Sequence, residues 1–331
     1  MQYVRYGNTG MIVSRLCMGA MDFPGRIPDE DAMRLVHHAL DQGINFIDTA
    51  DAYGHGSSET LLGKALEGKR DDVVLTTKLW VPMYKRPGGR GCSRVHMIHA
   101  CEDSLKRLQT DWVDLYQLHH PDADTPVEET ISTLDLLVKQ GKIRHWGVSN
   151  HYAWQMAHML GVSALHNWEP LVSIQCRYNI LDRPAEMETV PFCRRFNIAM
   201  ITYGPLCGGF LSGIHRRGQE PPEGSRVARA YRRMITDELF DTLEALEPIA
   251  AKYEIGLNQL AVLWVLSKPY VTCPIIGGSK PEHFEPMYGL TEMKLEEEDV
   301  KRIDELSAKS VYKPFENQPI KQYTPPAMNR W

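Results

Sequence analysis

Residues 43–64 read GINFIDTADAYGHGSSETLLGK, and the rest of the chain is read outward from this stretch. Ile44 to Ile47 has the apolar character of a buried strand, a polar loop follows, and Ser57 or Ser58 is placed to open a helix. Asp48 stands where the strand ends, and Tyr53 follows in the loop. Two later strands end in the same way: VVLTTK closes on Lys78 and VDLYQLH closes on His119. Strand–helix proteins gather their chemistry on the loops at the C-terminal ends of strands.

The strand–helix rhythm extends in both directions. Residues 2–13 alternate around the turn Gly7-Asn8-Thr9-Gly10, which predicts a short N-terminal hairpin. Apolar strands are predicted at 16–19, 44–48, 73–78, 112–118, 143–148, 171–175, 198–203 and 271–276, with helical periodicity between them. Such alternation implies a parallel sheet, and eight units in this length imply a closed (β/α)8 barrel, a TIM barrel. An open doubly wound sheet would carry G-x-G-x-x-G after its first strand, where this chain has GAMDFPG. One barrel domain over 1–331 is expected, with 309–331 as a C-terminal tail rich in Pro and polar residues. The segments 79–92 and 204–235 are long loops, a length common in lids and binding loops.

Composition narrows the function. The chain has 331 residues, 43% of them hydrophobic and 24% charged, with a net charge of -5. That small negative charge argues against nucleic acid as partner. No apolar run reaches the length of a membrane span, and MQYVRYGNTG lacks the apolar core of a signal peptide, so a cytoplasmic protein is expected. The seven cysteines are scattered without a C-x-x-C, which argues against a disulfide framework or a thiolate metal site.

In a barrel, Asp48, Tyr53, Lys78 and His119 share the C-terminal face. A free tyrosine is a poor acid at neutral pH. A nearby ammonium stabilises the phenolate and lowers the phenol's pKa. Lys78 can supply that charge, Asp48 its counter-charge, and His119 a hydrogen bond to a substrate oxygen. The set suits protonation of an oxygen while a hydride attacks the adjacent carbon. Each residue also has a local explanation, as a loop anchor, a packed ring or a solvated charge. Two histidine pairs, His37-His38 and His119-His120, raise the question of metal, but neighbours on a strand point apart and no further ligand completes a set, so no metal is expected.

The stretches GINFIDTADAYG, VVLTTKLW, DWVDLYQLHHPD, GKIRHWGVSN and ITYGPLCGGFLSG together resemble the aldo-keto reductases, NAD(P)H-dependent carbonyl reductases built on a (β/α)8 barrel. The resemblance spans residues 3 to about 290. It implies that Asp48, Tyr53, Lys78 and His119 form a catalytic tetrad, with Tyr53 as general acid or base, Lys78 and Asp48 tuning it, and His119 orienting the carbonyl. GPLCGGFLSG and ETLLGKAL are more similar to the branch with bacterial reductases and potassium-channel β subunits than to aldose reductase. That branch raises an alternative, a cofactor-binding regulatory protein. The β-subunit-like members have asparagine at the position of His119, so His119 favours an enzyme. A different barrel enzyme, such as a phosphate-sugar isomerase, is a third reading.

The resemblance also implies where NADPH, or NADH, would lie. Gly19 and Ala20 with Asp48 line its reactive end. Ser149, Asn150 and Gln175 hold the carboxamide, although Asn150 would also serve as a helix cap. Tyr203 stacks on the nicotinamide, and Gly204, Pro205, Leu206, Cys207 and Gly208 pass the pyrophosphate. Gly277, Ser279, Lys280 and His283, at a helix start after the last strand, and Arg226 take the adenosine phosphate end. Pro286-Met287, His283 and Ile214 depart from the family pattern there, and Pro286 is expected to bend or end its helix. Met21, Phe23, Trp80, Tyr84 and His120 are the expected substrate mouth. The loop with Lys85, Arg86, Arg90 and Arg94 is basic, which suits an anionic substrate or simple solvation. Sequence assigns neither the carbonyl substrate nor the oligomeric state.

Overall fold

A computed structural model describes residues 1–308 apart from Pro24, Arg86, 232–234 and Ser279. Eight parallel strands close into a barrel. In chain order they are β3 (Cys17–Gly19), β4 (Phe46–Asp48), β5 (Val74–Leu79), β6 (Val113–Leu118), β7 (Ile143–Ser149), β8 (Ser173–Arg177), β9 (Ala199–Tyr203) and β10 (Cys273–Ile276). β10 pairs with both β9 and β3, which closes the barrel sheet on itself. The strands are read as continuous apolar runs because both faces are covered, by helices outside and by packed side chains within.

Those helices are α1 (Asp29–Asp41), α2 (Ser57–Ala65), α3 (Arg94–Leu108), α4 (Val127–Lys139), α5 (Ala153–His166), α6 (Thr189–Phe196), α7 (Asp237–Lys252), α8 (Leu257–Ser267), α9 (Glu285–Tyr288) and α10 (Glu297–Ser307). α1 starts on Asp29, Glu30 and Asp31, which suit the positive end of a helix, and buries Ala32, Leu35, Val36 and Ala39. α2 packs close to α3 at Gly63, where an added Cβ would lie 2.5 Å from the Arg107 carbonyl oxygen. That obstacle is backbone and cannot swing aside. We predict that Gly63→Ala costs about 1–3 kcal/mol of stability, read as a lower urea midpoint. An unchanged midpoint would show that the two helices can separate freely.

The N-terminal hairpin pairs β1 (Tyr3–Arg5) with β2 (Ile12–Ser14). It closes the N-terminal end of the barrel. Tyr6 is fully buried there, edge-on to Phe46 at 5.7 Å, in a small core with Val13, Cys17, Leu115, Val172, Ala199, Ile201 and Cys273. With that end plugged, the C-terminal face is left for chemistry.

Several boundaries differ from expectation. β8 runs to Arg177, so Gln175 sits within the strand and not at its end. The helical stretch expected between β8 and β9 divides into a 3-10 turn, Pro184–Glu186, and α6. The helix expected after the last strand is a 3-10 turn, Pro281–His283, followed by the four residues of α9. Pro286 lies in the first turn of α9, where its missing N–H leaves no helical bond unmade. Within the long segment after β9, Cys207–Ser212 forms 3-10 turns and Val227–Tyr231 a π-helical turn. No described helix is long and apolar enough to cross a membrane.

Candidate active site

The four strand-end residues meet at the open end of the barrel. β4 ends on Asp48 and β5 carries Lys78 one residue before its end. The Lys78 ammonium, fully buried, donates to Asp48 Oδ1 at 2.6 Å, to the Thr49 carbonyl at 2.9 Å and to the Tyr53 hydroxyl at 3.1 Å. The same ammonium lies 4.7 Å from the Tyr53 ring centroid. Tyr53 reaches it because the chain turns sharply after β4, with Gly54 and His55 both left-handed. Gly56 follows at φ 90°, where a side chain would also strike Arg107.

Charge in this cluster is settled by competition. Burial pulls the Lys78 ammonium down, but Asp48 and Tyr53 together outweigh it and hold its pKa above the ordinary lysine value. Burial, with the charges of Asp48 and Asp51, raises the Tyr53 phenol more than Lys78 lowers it, so its pKa lies above the ordinary value. The sequence expectation of a lowered phenol is corrected here: Lys78 acts in the expected direction, and burial wins. Tyr53 therefore carries its proton at neutral pH, held on a cation that would stabilise the phenolate. His119 is pulled down to about 2 by burial, Lys78 and His120, which makes it a neutral imidazole.

His119 follows β6 directly, its N–H bonded to the Leu79 carbonyl at 2.9 Å. Its ring stands edge-on to Tyr53 at 5.8 Å. His120 stacks on it at 5.0 Å and 9°, and Trp80 meets His120 at 5.1 Å. Adjacent histidines were expected to point apart. They stack because both lie beyond the last residue of β6, where strand alternation no longer applies. Among the described residues no group of metal-ligating side chains forms.

Ser149, Asn150, Gln175 and Tyr203 come together beside this cluster. Gln175 donates to Asp48 Oδ2 at 2.8 Å, Tyr203 donates to Asn150 Oδ1 at 2.8 Å, and Asn150 donates to the His119 carbonyl at 3.0 Å and to Ser149 Oγ at 3.0 Å. Asn150 is left-handed, and the cap of α5 is Tyr152, so the helix-cap expectation for Asn150 does not hold. Ser58 is likewise no cap: it donates to the Ala20 carbonyl at 3.0 Å and pairs with Thr49, tying α2 to the strand ends. Gly19 pairs opposite Asp48, and Ala20 donates to the Asp48 carbonyl at 2.9 Å.

The 204–208 segment leaves β9 through Gly204, Pro205 and Leu206, with left-handed backbone at Gly204, Cys207 and Gly208. A Cβ at Gly204 would meet nothing within 4 Å, so backbone is open to approach there. The Cys207 side chain is buried, so only its backbone could face a ligand. Gly277, Lys280, His283 and Arg226 are exposed. Lys280 shares a groove of about 470 Å³ with Asp31, Arg34 and His38 of α1 and with Glu282 and Glu285. Ser279, Arg86 and the 309–331 tail lie outside the described residues.

The substrate mouth is smaller than expected. Met21 is exposed and Trp80 and His120 are half-buried. Phe23 is fully buried in the main core, and so presents no surface. Tyr84 donates to Asp103 of α3 at 2.5 Å, which ties the basic loop to that helix. Sequence missed Arg177 and Asn179. Arg177 ends β8, pairs with Asp182 at 2.7 Å and reaches Cys207 Sγ at 3.9 Å; Asn179 donates to the Gly204 carbonyl at 3.0 Å. Together they brace the 204–208 segment, and no periodicity marks either residue.

The sequence profile of the Aldo/keto reductase family matches residues 15–308. The chain belongs to the aldo/keto reductase family. It is 33% identical over 317 residues, 92% of this chain and 96% of the other, to a protein of Bacillus subtilis (strain 168) named as an uncharacterized oxidoreductase, YrpG. It is 34% identical over 324 residues, 95% and 96% of the two chains, to the aldo-keto reductase YhdN of the same strain. It is 33% identical over 290 residues, 85% and 88% of the two chains, to a probable voltage-gated potassium channel subunit beta of Oryza sativa subsp. japonica. The similarity thus supports an oxidoreductase of the branch that joins bacterial reductases and channel subunits.

Proposed function

We propose that this barrel, acting as one domain, reduces an aldehyde or ketone to an alcohol, or runs the reverse, with NADPH or NADH. The observation that carries the reading is one buried ammonium, Lys78, bonded at once to Asp48 at 2.6 Å and to the Tyr53 hydroxyl at 3.1 Å. A phenol held that way can give up its proton to a carbonyl oxygen, because the resulting phenolate remains on the ammonium. Asp48 keeps Lys78 charged. His119, neutral, is suited to donate a hydrogen bond to the same oxygen and fix its position.

The residues beside the cluster fit a nicotinamide dinucleotide. Asn150, Ser149 and Gln175 offer amide and hydroxyl groups, half-exposed Tyr203 offers a ring, and the open backbone at Gly204 leaves room for a close approach. When bound, the nicotinamide supplies the hydride. Lys280 and Arg226, both exposed cations, support a preference for NADPH through its extra phosphate. We predict that Lys280→Met weakens NADPH binding about tenfold, roughly 1.4 kcal/mol for one charge-assisted contact, and leaves NADH binding unchanged. Equal losses for both nucleotides would remove Lys280 from phosphate recognition.

The relative named as a probable channel β subunit keeps a second reading in view, a nucleotide-binding regulatory protein. Nucleotide oxidation against a panel of aldehydes, keto-sugars and ketones separates the two. Turnover of any panel member supports the reductase. Tight nucleotide binding with no turnover supports the regulatory protein, and no nucleotide binding at all overturns both.

A further inference from the structure

Asp51 is a buried acid to which the reaction above gives no task. It lies in the turn between Asp48 and Tyr53, is fully buried, and neither carboxyl oxygen has a side-chain hydrogen-bond partner among the described residues. Its backbone N–H donates to the Lys78 carbonyl at 3.1 Å, which ties it to the strand that carries the ammonium.

The cations near it are committed elsewhere. Arg107 of α3 donates to Glu59 Oε2 at 2.7 Å and to Ser104 at 3.2 Å. The other Glu59 oxygen accepts from Thr77 at 2.5 Å. Lys78 spends its three donors on Asp48, Thr49 and Tyr53. The titratable and charged groups facing Asp51 are therefore Glu59 on α2, Arg107 on α3, Lys78 on β5, Tyr116 on β6, and Tyr53 in its own loop. Two acids, Glu59 and Asp51, border one guanidinium, and Glu59 holds it. An ionised carboxylate without a partner in such a site is costly, and the cheaper state is the neutral acid.

We propose that Asp51 holds a proton in the resting protein and is a positioning residue for proton transfer at Tyr53, because an ionised Asp51 would set a second negative charge against the phenolate. With Asp51 neutral, Lys78 stabilises that phenolate opposed by Asp48 alone. Tyr53 passes its own proton to the substrate oxygen and regains one from solvent, and Asp51 keeps its proton throughout. Burial first, then the charge of Glu59, pushes the Asp51 carboxyl up to about 8, against Arg107, the Ala52 backbone N–H and Lys78. The loss of that proton would then form the alkaline limit of carbonyl reduction. This last consequence rests on the proposed function; the proton and its coupling to Tyr53 do not.

Linkage gives the sign for stability. The folded state holds the Asp51 proton more tightly than the unfolded chain, so this contribution falls as pH rises from the ordinary carboxylate range toward about 8. The conservative variant is Asp51→Asn, which keeps shape and removes the charge. Its melting temperature relative to the parent is expected to rise from about pH 5 to about pH 8 and to level off above that. In ultraviolet difference titrations against Tyr53→Phe, Tyr53 is expected to ionise at least about one pH unit lower in Asp51→Asn than in the parent at alkaline pH. In reduction assays the variant keeps more of its neutral-pH rate at alkaline pH than the parent does.

Parallel melting profiles for parent and variant would overturn the proton, and an unshifted Tyr53 titration would overturn the coupling. Should the variant fail to fold, infrared spectra of the parent decide: a carboxylic-acid C=O band at neutral pH that disappears toward about pH 9 supports the proton, and its absence overturns it. Failure of turnover with these titrations intact would sink the reductase reading alone.

Discussion

Tyr53→Phe is expected to lower the rate of carbonyl reduction by about 100-fold or more, the usual loss when a general acid is removed. The variant deletes one oxygen and leaves the ring. That ring keeps its place over the Lys78 ammonium at 4.7 Å and its edge contact with His119 at 5.8 Å. Lys78 still donates to Asp48 and to the Thr49 carbonyl. Nucleotide affinity and melting temperature should therefore stay close to the parent's. The loss belongs in the chemical step, read by single-turnover kinetics beside nucleotide titration. A variant that retained more than about a tenth of the parent rate would show that water or another side chain supplies the proton.

Lys78→Met should have the largest effect on stability. The methionine fills much of the same space, but Asp48 loses its counter-charge in a site where Asp48 is 3% exposed. Gln175 remains as a donor at 2.8 Å, and it is neutral. Removing one partner of a buried pair costs about 3–5 kcal/mol, most of it from the stranded charge. Asp48 can escape that cost by taking up a proton, which raises its pKa in the folded variant. By linkage, the variant then loses stability as pH rises, and the deficit against the parent is greatest at neutral pH and above. Urea unfolding at mildly acidic and neutral pH measures it. A deficit independent of pH would mean that Asp48 is stabilised by something other than Lys78. Turnover should fall at least as far as in Tyr53→Phe, because the phenolate would lose its cation.

Much of this was legible in one dimension. The barrel followed from eight apolar runs, each short enough for a strand and each followed by helical periodicity. Both faces of a barrel strand are buried, so its residues are apolar without alternation, and that signal survives in sequence. The four chemical residues were legible for a related reason. Polar side chains at the ends of apolar strands are out of place unless something uses them. The errors gathered where local pattern carries little information. Pro286 marked a break, but not that the segment would divide into turns. Ser58 looked like a helix cap and instead spans from α2 to Ala20. Phe23 read as a mouth residue because its neighbours in sequence do, yet it is buried in the core.

Sequence by itself therefore determined the eight strands and the main helices between them, the closed barrel they form, the family, and which residue types stand at the strand ends. These depend on hydrophobic period and on chain order, which are local properties. Tertiary structure alone decided the protonation states. Tyr53 rises where Lys78 by itself would lower it, His119 falls to about 2, and Asp51 is pushed up to about 8. Each outcome balances desolvation against charges contributed by different strands and helices. Burial and charge separation are properties of packed elements, and they have no counterpart along the chain.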